Sequence, residues 1–440
     1  MSASTQTNGN HHTASALSAL GLVNADKISK EEDQAYWWGV LGQPLNRLLQ
    51  TSKYSEGDQL YYPAWFHQYI APALGPRPAG GKPYYGAWLT YDGSPLEYSL
   101  NWKEKKLEQT IRFTIEPASR KAGTPADPLN QLAAKELLTL MAKEIPGIDL
   151  TRFELFHSET RVPDEAADEI REKNPPGAPL TGVWVAFDLE RGAVVAKSYF
   201  LPHMKAVLTG IPTKTIAFDA IRKCNGPTGD YSPSIEVLDS YLESFPNSEE
   251  APQVVLLSND CVVDSPTSRN KVYVHAAVGS LAHAKDMFCL GGRLTGPLAK
   301  EGLKAVSEFW YHIMGFDPSD AEAENRIVWP DGRKFLCVYE MKPTPSGEPV
   351  TDMEVKLHIP GWRLGKTDAE VGELLSDWFR QHGHPDLAER YLPDMASTFT
   401  KHDLTGAYPG SHTWISITWT PKNGLYMTMY YTPKVPELYY

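Results

Sequence analysis

The sequence predicts an α+β protein: a closed barrel of ten mostly antiparallel strands with a polar lumen and a surrounding ring of helices. Three observations predict it. Segments of period two come in pairs, starting near 94, 181, 252, 335 and 411, so a strand hairpin recurs every 71 to 87 residues. One or two stretches of helical periodicity separate successive pairs. Charged and aromatic residues share one face of several strands, and aliphatic residues share the other. An antiparallel sheet of ten strands usually closes or splits, and regular repetition favours closure. Helices outside would cover the aliphatic faces and leave the polar faces to line the lumen.

Residues 1–30 open with the polar "MSASTQTNGNHHTAS" and read as a disordered tail without a signal-peptide core; residues 31–440 read as one barrel domain. The His11–His12 pair is too short for a metal site. Helical periodicity runs over 31–50 and over 58–75, where Gly75-Pro76 stops it. In "SPLEYSLNW" (94–102) Glu97, Ser99 and Asn101 oppose Leu96, Tyr98 and Leu100. In "QTIRFTIEP" (109–117) Arg112, Thr114 and Glu116 oppose Ile111, Phe113 and Ile115. A helix over 129–145 leads to "TGVWVAFDL" (181–189) and "GAVVAKSYF" (192–200), where Lys197 and Tyr199 share a face. A helix over 233–245 precedes "PQVVLLSND" (252–260) and "SRNKVYVH" (268–275), whose Arg269, Lys271 and Tyr273 align. Another over 298–315 precedes "KFLCVYEMK" (334–342) and "DMEVKLHIP" (352–360), which pairs Lys356 with His358. The last, over 369–382, precedes "SHTWISITW" (411–419) and "GLYMTMYYT" (424–432). Trp414, Ser416 and Thr418 share one side there, and Tyr426, Thr428 and Tyr430 another.

The 440 residues are 42% hydrophobic with 12 Trp, 22 Tyr and 14 Phe, enough for a large aromatic core. A net charge of −12 argues against a nucleic-acid partner, so a cationic cluster must be local and aimed at a small anion. No apolar run approaches the ~18 residues of a membrane span. Four cysteines, 28 or more residues apart and without a CxxC pair, read as thiols of a reducing compartment. A cytoplasmic protein without membrane contact is expected. "DEAAD" (164–168) reads as a solvated face, "LGGRLTG" (290–296) as turn glycines, and "HGHP" (382–385) as a helix-ending loop rather than a metal site.

Three strands repeat the pattern cation-x-aromatic: Lys197-x-Tyr199, Lys271-x-Tyr273 and Lys356-x-His358. With Arg112 and Arg269, five cations would share one barrel wall and repel one another unless an anion neutralised them. A diphosphate suits such a wall, with Arg offering it bidentate bonds. Tyrosine ring faces would stabilise a carbocation and exclude water from it. Cations beside an aromatic cage imply an allylic prenyl diphosphate, which ionises into those two species.

In "LGPRP" (74–78), "LEYSLNW" (96–102), "IRFTIEP" (111–117), "AFDL" (186–189), "AKSYFLP" (196–202), "RNKVY" (269–273), "DMFCLGGRL" (286–294), "VYEMK" (338–342) and "LYMTMYY" (425–431) the chain resembles the fungal indole prenyltransferases. This is the dimethylallyltryptophan synthase family, with its ABBA barrel, and the chain most resembles the cyclic-dipeptide enzymes. The resemblance implies transfer of a dimethylallyl group from dimethylallyl diphosphate to an indole without metal or other cofactor. It implies Glu97 as the catalytic base on the indole N–H. It implies Arg112, Lys197, Arg269, Lys271, Lys356 and His358 at the diphosphate, and Tyr199, Tyr273, Tyr426 and Tyr430 as the carbocation shield. The acceptor pocket would comprise Glu97, Trp88, Leu89, Trp184, Leu201, Leu256, Leu336, Trp414 and Trp419.

The chain departs from the family at particular positions. His358 stands where many members have a shield tyrosine. Trp184 stands where free-tryptophan enzymes carry lysine. Val255 or Leu256 stands where those enzymes have an arginine for the amino-acid carboxylate, and Leu201 replaces a tyrosine. These changes favour a neutral acceptor such as a tryptophan-containing cyclic dipeptide. The alternatives are prenylation of free tryptophan, tyrosine or another aromatic, and a barrel that carries a prenylated or anionic ligand without chemistry.

Overall fold

The computed structural model describes residues 25–247, 251–344, 348–406 and 408–438. Ten strands close into one barrel in which every neighbour is antiparallel. They are β1 Leu96–Lys103, β2 Ile111–Ile115, β3 Val183–Glu190, β4 Ala193–Phe200, β5 Gln253–Asp260, β6 Asn270–His275, β7 Leu336–Met341, β8 Glu354–Pro360, β9 His412–Thr420 and β10 Gly424–Tyr431. Sequential strands pair throughout, and β1 meets β10 to close the ring. The five hairpins expected from the period-two segments are all present.

The outer faces build the core. Leu96, Tyr98, Ile111, Phe113, Ile115, Val185 and Phe187 are fully buried beneath the helices. Phe113 meets Phe66 edge-on at 5.3 Å, Trp65 meets Phe187 at 5.1 Å, and the Tyr98 hydroxyl donates to the Leu41 carbonyl at 2.6 Å. Aromatic burial of this extent contributes strongly to stability. It puts the helices outside, so the strands' polar faces can only turn inward.

The expected helices occur at Gln43–Thr51, Glu56–Trp65, Ala133–Glu144, Ser232–Leu242, Pro297–Met314 and Asp368–Gln381. The last begins with a capping box of Thr367 and Glu370. The ring also holds shorter helices such as Ala167–Lys173, His203–Thr209 and Leu281–Phe288, too brief for periodicity to register. Asp168 of "DEAAD" is almost fully exposed, and His382 and His384 end one helix and precede the next.

The N-terminal boundary needs correction. A helix, Ala25–Trp37, starts six residues before the expected edge at 31. Polarity misled there: Ser29 accepts a hydrogen bond from Arg120, and Asp33 pairs with both Arg77 and Arg120. Residues 1–24 of the expected tail lie outside the described residues. Among the described residues no helix is long and apolar enough to cross a membrane. All four cysteines are unpaired; Cys261 and Cys337 are buried, while Cys224 and Cys289 are only partly so.

Candidate active site

Three layers stack along the lumen. In the first, Glu97 on β1 faces a cavity of about 460 Å3 that is also lined by Leu89, Trp184, Leu201, Val255, Leu256, Leu336 and Trp414. Glu97 is 7% exposed, and Thr413 donates to its Oε1 at 2.5 Å. Burial pushes the Glu97 carboxyl up to about 8, opposed by the Thr413 bond and aided by Asp92. A carboxyl tuned there is a stronger base than an exposed one and accepts a proton once ionised.

The second layer is aromatic. Tyr199 meets Tyr273 edge-on at 6.1 Å, Tyr273 meets His358 at 6.4 Å, and His358 meets Tyr430 at 5.7 Å. All four line the cavity. Burial first, then the cations Lys356, Lys271 and Arg112, hold His358 down at about 3. It is therefore a neutral ring that touches Tyr273 and Tyr430 and also feels Lys356, Lys271 and Arg112.

The third layer carries the charges. Cross-strand register places Arg112 opposite Asp188, Lys197 opposite Asp260, and Lys271 opposite Glu340. Arg112 binds both Asp188 oxygens, one at 2.9 Å. Lys197 lies 2.9 Å from Asp188 and 3.0 Å from Asp260, and Arg269 bridges Asp260 and Glu340 at 2.9 Å each. Lys356 lies 3.7 Å from Glu354, with its ammonium 3.9 Å from the centre of the Tyr426 ring. Burial works against the Asp188 carboxylate, yet Arg112 and Lys197 hold it far below the usual range. Burial and then Arg269 bring Lys271 down to about 7, against Asp260 and Glu340. Burial opposes ionisation of Tyr426 too, but Lys356, Arg112 and Lys103 bring its phenol below the ordinary value.

The expectation that five cations stand unneutralised is corrected by this layer: carboxylates on neighbouring strands interleave with them. They fix each cation's position before any anion arrives, which is the preorganisation that charge stabilisation requires. Among the described residues, no group of three or more His, Cys, Asp or Glu is placed to hold a metal ion.

Two acceptor-pocket residues lie elsewhere. Trp419 packs on the outer core, with its strand partner Leu425 buried there too, because its odd position in β9 shares a face with Ile415 and Ile417. Trp88 lines a separate hollow with Tyr91 and Trp362, and only its neighbour Leu89 reaches the cavity. Val255 and Leu256 both line the cavity, because β5 bulges between Val254 and Leu256. Thr413 escaped sequence reading since alternation puts it outside; the register of β9 and β10 is irregular between Met429 and Tyr431. Arg333 and Lys334, on the loop before β7, also line the cavity. That loop is pinned by Arg363, which donates to the Asp331 and Arg333 carbonyls and pairs with the Asp331 carboxylate.

A buried basic carboxyl, an aromatic cage and a cation layer are the parts that transfer of a prenyl cation to an aromatic ring requires. A family model described as tryptophan dimethylallyltransferase matches residues 33–394. The chain belongs to that family. It is an aromatic prenyltransferase.

A prenyltransferase of Pestalotiopsis fici, iacE, is 51% identical over 442 residues, covering 100% of both chains. A 7-dimethylallyltryptophan synthase of Aspergillus fumigatus is 31% identical over 91% of this chain and 85% of its own. The crystal structure of AnaPT from Neosartorya fischeri superposes with a TM-score of 0.79 at 26% identity, covering 96% of this chain and 97% of that one.

Leu336 sits across from His358 on the cavity wall, 7% exposed. Its side chain would bound the far end of a prenyl tail. The wild type is expected to prefer the five-carbon donor, and Leu336→Gly to accept geranyl diphosphate. Steady-state rates with both donors check this, and a wild-type preference for the ten-carbon donor would refute the assignment.

Proposed function

We propose that the enzyme transfers a dimethylallyl group from dimethylallyl diphosphate to the indole of a tryptophan-containing cyclic dipeptide or a related indole alkaloid, without a metal ion. Arg112, Lys197, Arg269, Lys271 and Lys356 take the diphosphate and stabilise it as it leaves. Tyr199, Tyr273 and Tyr430, with neutral His358 among them, and Tyr426 beside Lys356 in the cation layer present ring faces to the allyl cation and keep water from it. Glu97 accepts the indole N–H, strengthens the ring as a nucleophile and takes up the proton. The observation that carries this reading is that Glu97 shares one cavity with Tyr199, Tyr273, His358 and Tyr430, while Arg112, Lys197, Arg269, Lys271 and Lys356 are not part of its lining.

The neutral acceptor is supported by the apolar wall of Leu201, Val255, Leu256 and Leu336. A free amino acid would bring a carboxylate whose burial there costs several kcal/mol without a cation. One observation favours the second reading, free L-tryptophan: Arg333 reaches the same cavity from another loop. The residue as a whole is exposed at the rim, while burial holds its guanidinium below the ordinary arginine value, so the cation is partly desolvated where it meets the cavity. Comparing kcat/KM for a tryptophan-containing cyclic dipeptide and L-tryptophan decides between them. The cyclic dipeptide should win by at least ~10-fold, about 1.4 kcal/mol. Equal or better use of L-tryptophan, abolished by Arg333→Gln, would establish the second reading instead.

A further inference from the structure

Glu116 is the second carboxyl buried at the acceptor end, and the chemistry just described does not use it. It follows β2 directly, 2% exposed, with its backbone N–H bonded to the Pro95 carbonyl at the entry to β1. One carboxylate oxygen, Oε2, accepts three hydrogen bonds: from Trp88 N at 2.7 Å, Leu89 N at 3.0 Å and Trp184 Nε1 at 3.1 Å. The other oxygen is buried with no partner in ideal hydrogen-bond geometry, though the Thr181 hydroxyl is near enough to stabilise the ionised carboxyl.

These partners are two walls of the acceptor cavity. Leu89 and Trp184 both line it, and the Trp184 ring packs with Ala186, Tyr199 and Leu256. The segment from Ala87 to Pro95 is neither helix nor strand at Trp88 and Leu89, so no ladder satisfies those backbone N–H groups. The carboxylate does so in their place, and it joins the loop to a ring on β3. Burial pushes the Glu116 carboxyl up to about 7, and the bonds from Trp88, Thr181, Trp184 and Leu89 pull against that shift. The clamp therefore favours the ionised, acceptor-only form that three donors need.

We infer that Glu116 is a positioning residue that sets how the aromatic acceptor lies over the allyl cation, by fixing Leu89 and Trp184 relative to Glu97. This rests on the reading of the cavity as the acceptor site. An acceptor ring anchored at Glu97 has its tilt decided by the walls on either side. A displacement of a fraction of an ångström changes which ring atom faces the cation. Glu116 touches no reacting atom in this account, and its effect passes through Trp184 and Leu89.

The test pairs two variants. Glu116→Gln keeps the shape but puts an amide among three donors. Trp184→Phe keeps a ring and removes one donor, and it carries the test if the first variant does not fold. Both should raise the acceptor KM at least fivefold and shift the distribution of alkylated positions. The KM for dimethylallyl diphosphate should stay within twofold. The double variant should do little more than the worse single one, because both act on one contact. A fall in melting temperature with unchanged acceptor KM and product distribution would assign Glu116 a structural role only and overturn the inference. If the wild type turned over no aromatic acceptor at all, the reading of the cavity would fall and this inference with it. Wild-type turnover with unchanged variants sinks this inference alone.

Discussion

Glu97→Gln is expected to lower kcat by roughly two orders of magnitude or more, the usual weight of a positioned general base. The amide preserves the volume and still accepts the Thr413 hydroxyl, so the fold should survive. It cannot take a proton. The pH profile supplies the sign. Glu97 must be ionised to accept the indole N–H, and burial holds its carboxyl at about 8 in the free enzyme. The acceptor kcat/KM should therefore climb roughly tenfold per pH unit below 8 and flatten above it. In Glu97→Gln that limb should vanish. Lys271 works in the opposite direction: held at about 7, it loses its charge as pH rises, so kcat/KM for the prenyl donor should fall above neutrality. Near-normal turnover by the glutamine variant would make Glu97 a structural lumen residue.

The second large effect is on stability. Asp188 is the shared counter-ion of Arg112 and Lys197, all three lying inside the barrel. Asp188→Asn leaves Arg112 facing a neutral amide and Lys197 with Asp260 alone, and breaking a buried pair in this way costs about 3–5 kcal/mol. Urea unfolding should show that loss in the midpoint. Inorganic diphosphate should then restore more stability to the variant than it adds to the wild type, because the anion supplies the missing charge. A loss below ~0.5 kcal/mol, the range of ordinary surface changes, would mean the layer is hydrated and loosely held.

The barrel was legible because period two is rigid: alternation in "LEYSLNW", "RNKVY" and "LYMTMYY" assigned each lumen side chain correctly. The same rule carried Asp188, Asp260, Glu340 and Glu354, each at even spacing from a lumen residue, but the cation-x-aromatic pattern does not include them. Their effect is to change a repelling wall into a held one. Trp419 was misplaced by chemistry overriding parity, since Trp414 and Trp419 cannot share a face five residues apart on a regular strand. Thr413 and the paired contribution of Val255 and Leu256 were beyond alternation, because an irregular register and a bulge shift them. The Arg333 loop and the Glu116 clamp bring together segments with no regular period. Only tertiary packing puts Leu89, Glu116 and Trp184 in contact.

The most direct measurement incubates the enzyme with dimethylallyl diphosphate and a panel of indole acceptors in excess EDTA, following inorganic diphosphate release and prenylated product together. In the proposed mechanism the cation layer performs the charge stabilisation that magnesium supplies elsewhere. The account therefore predicts one prenylated indole per diphosphate released, at a rate the chelator leaves unchanged. Binding of the diphosphate without product, as a carrier would show, or an absolute requirement for a divalent ion would contradict it.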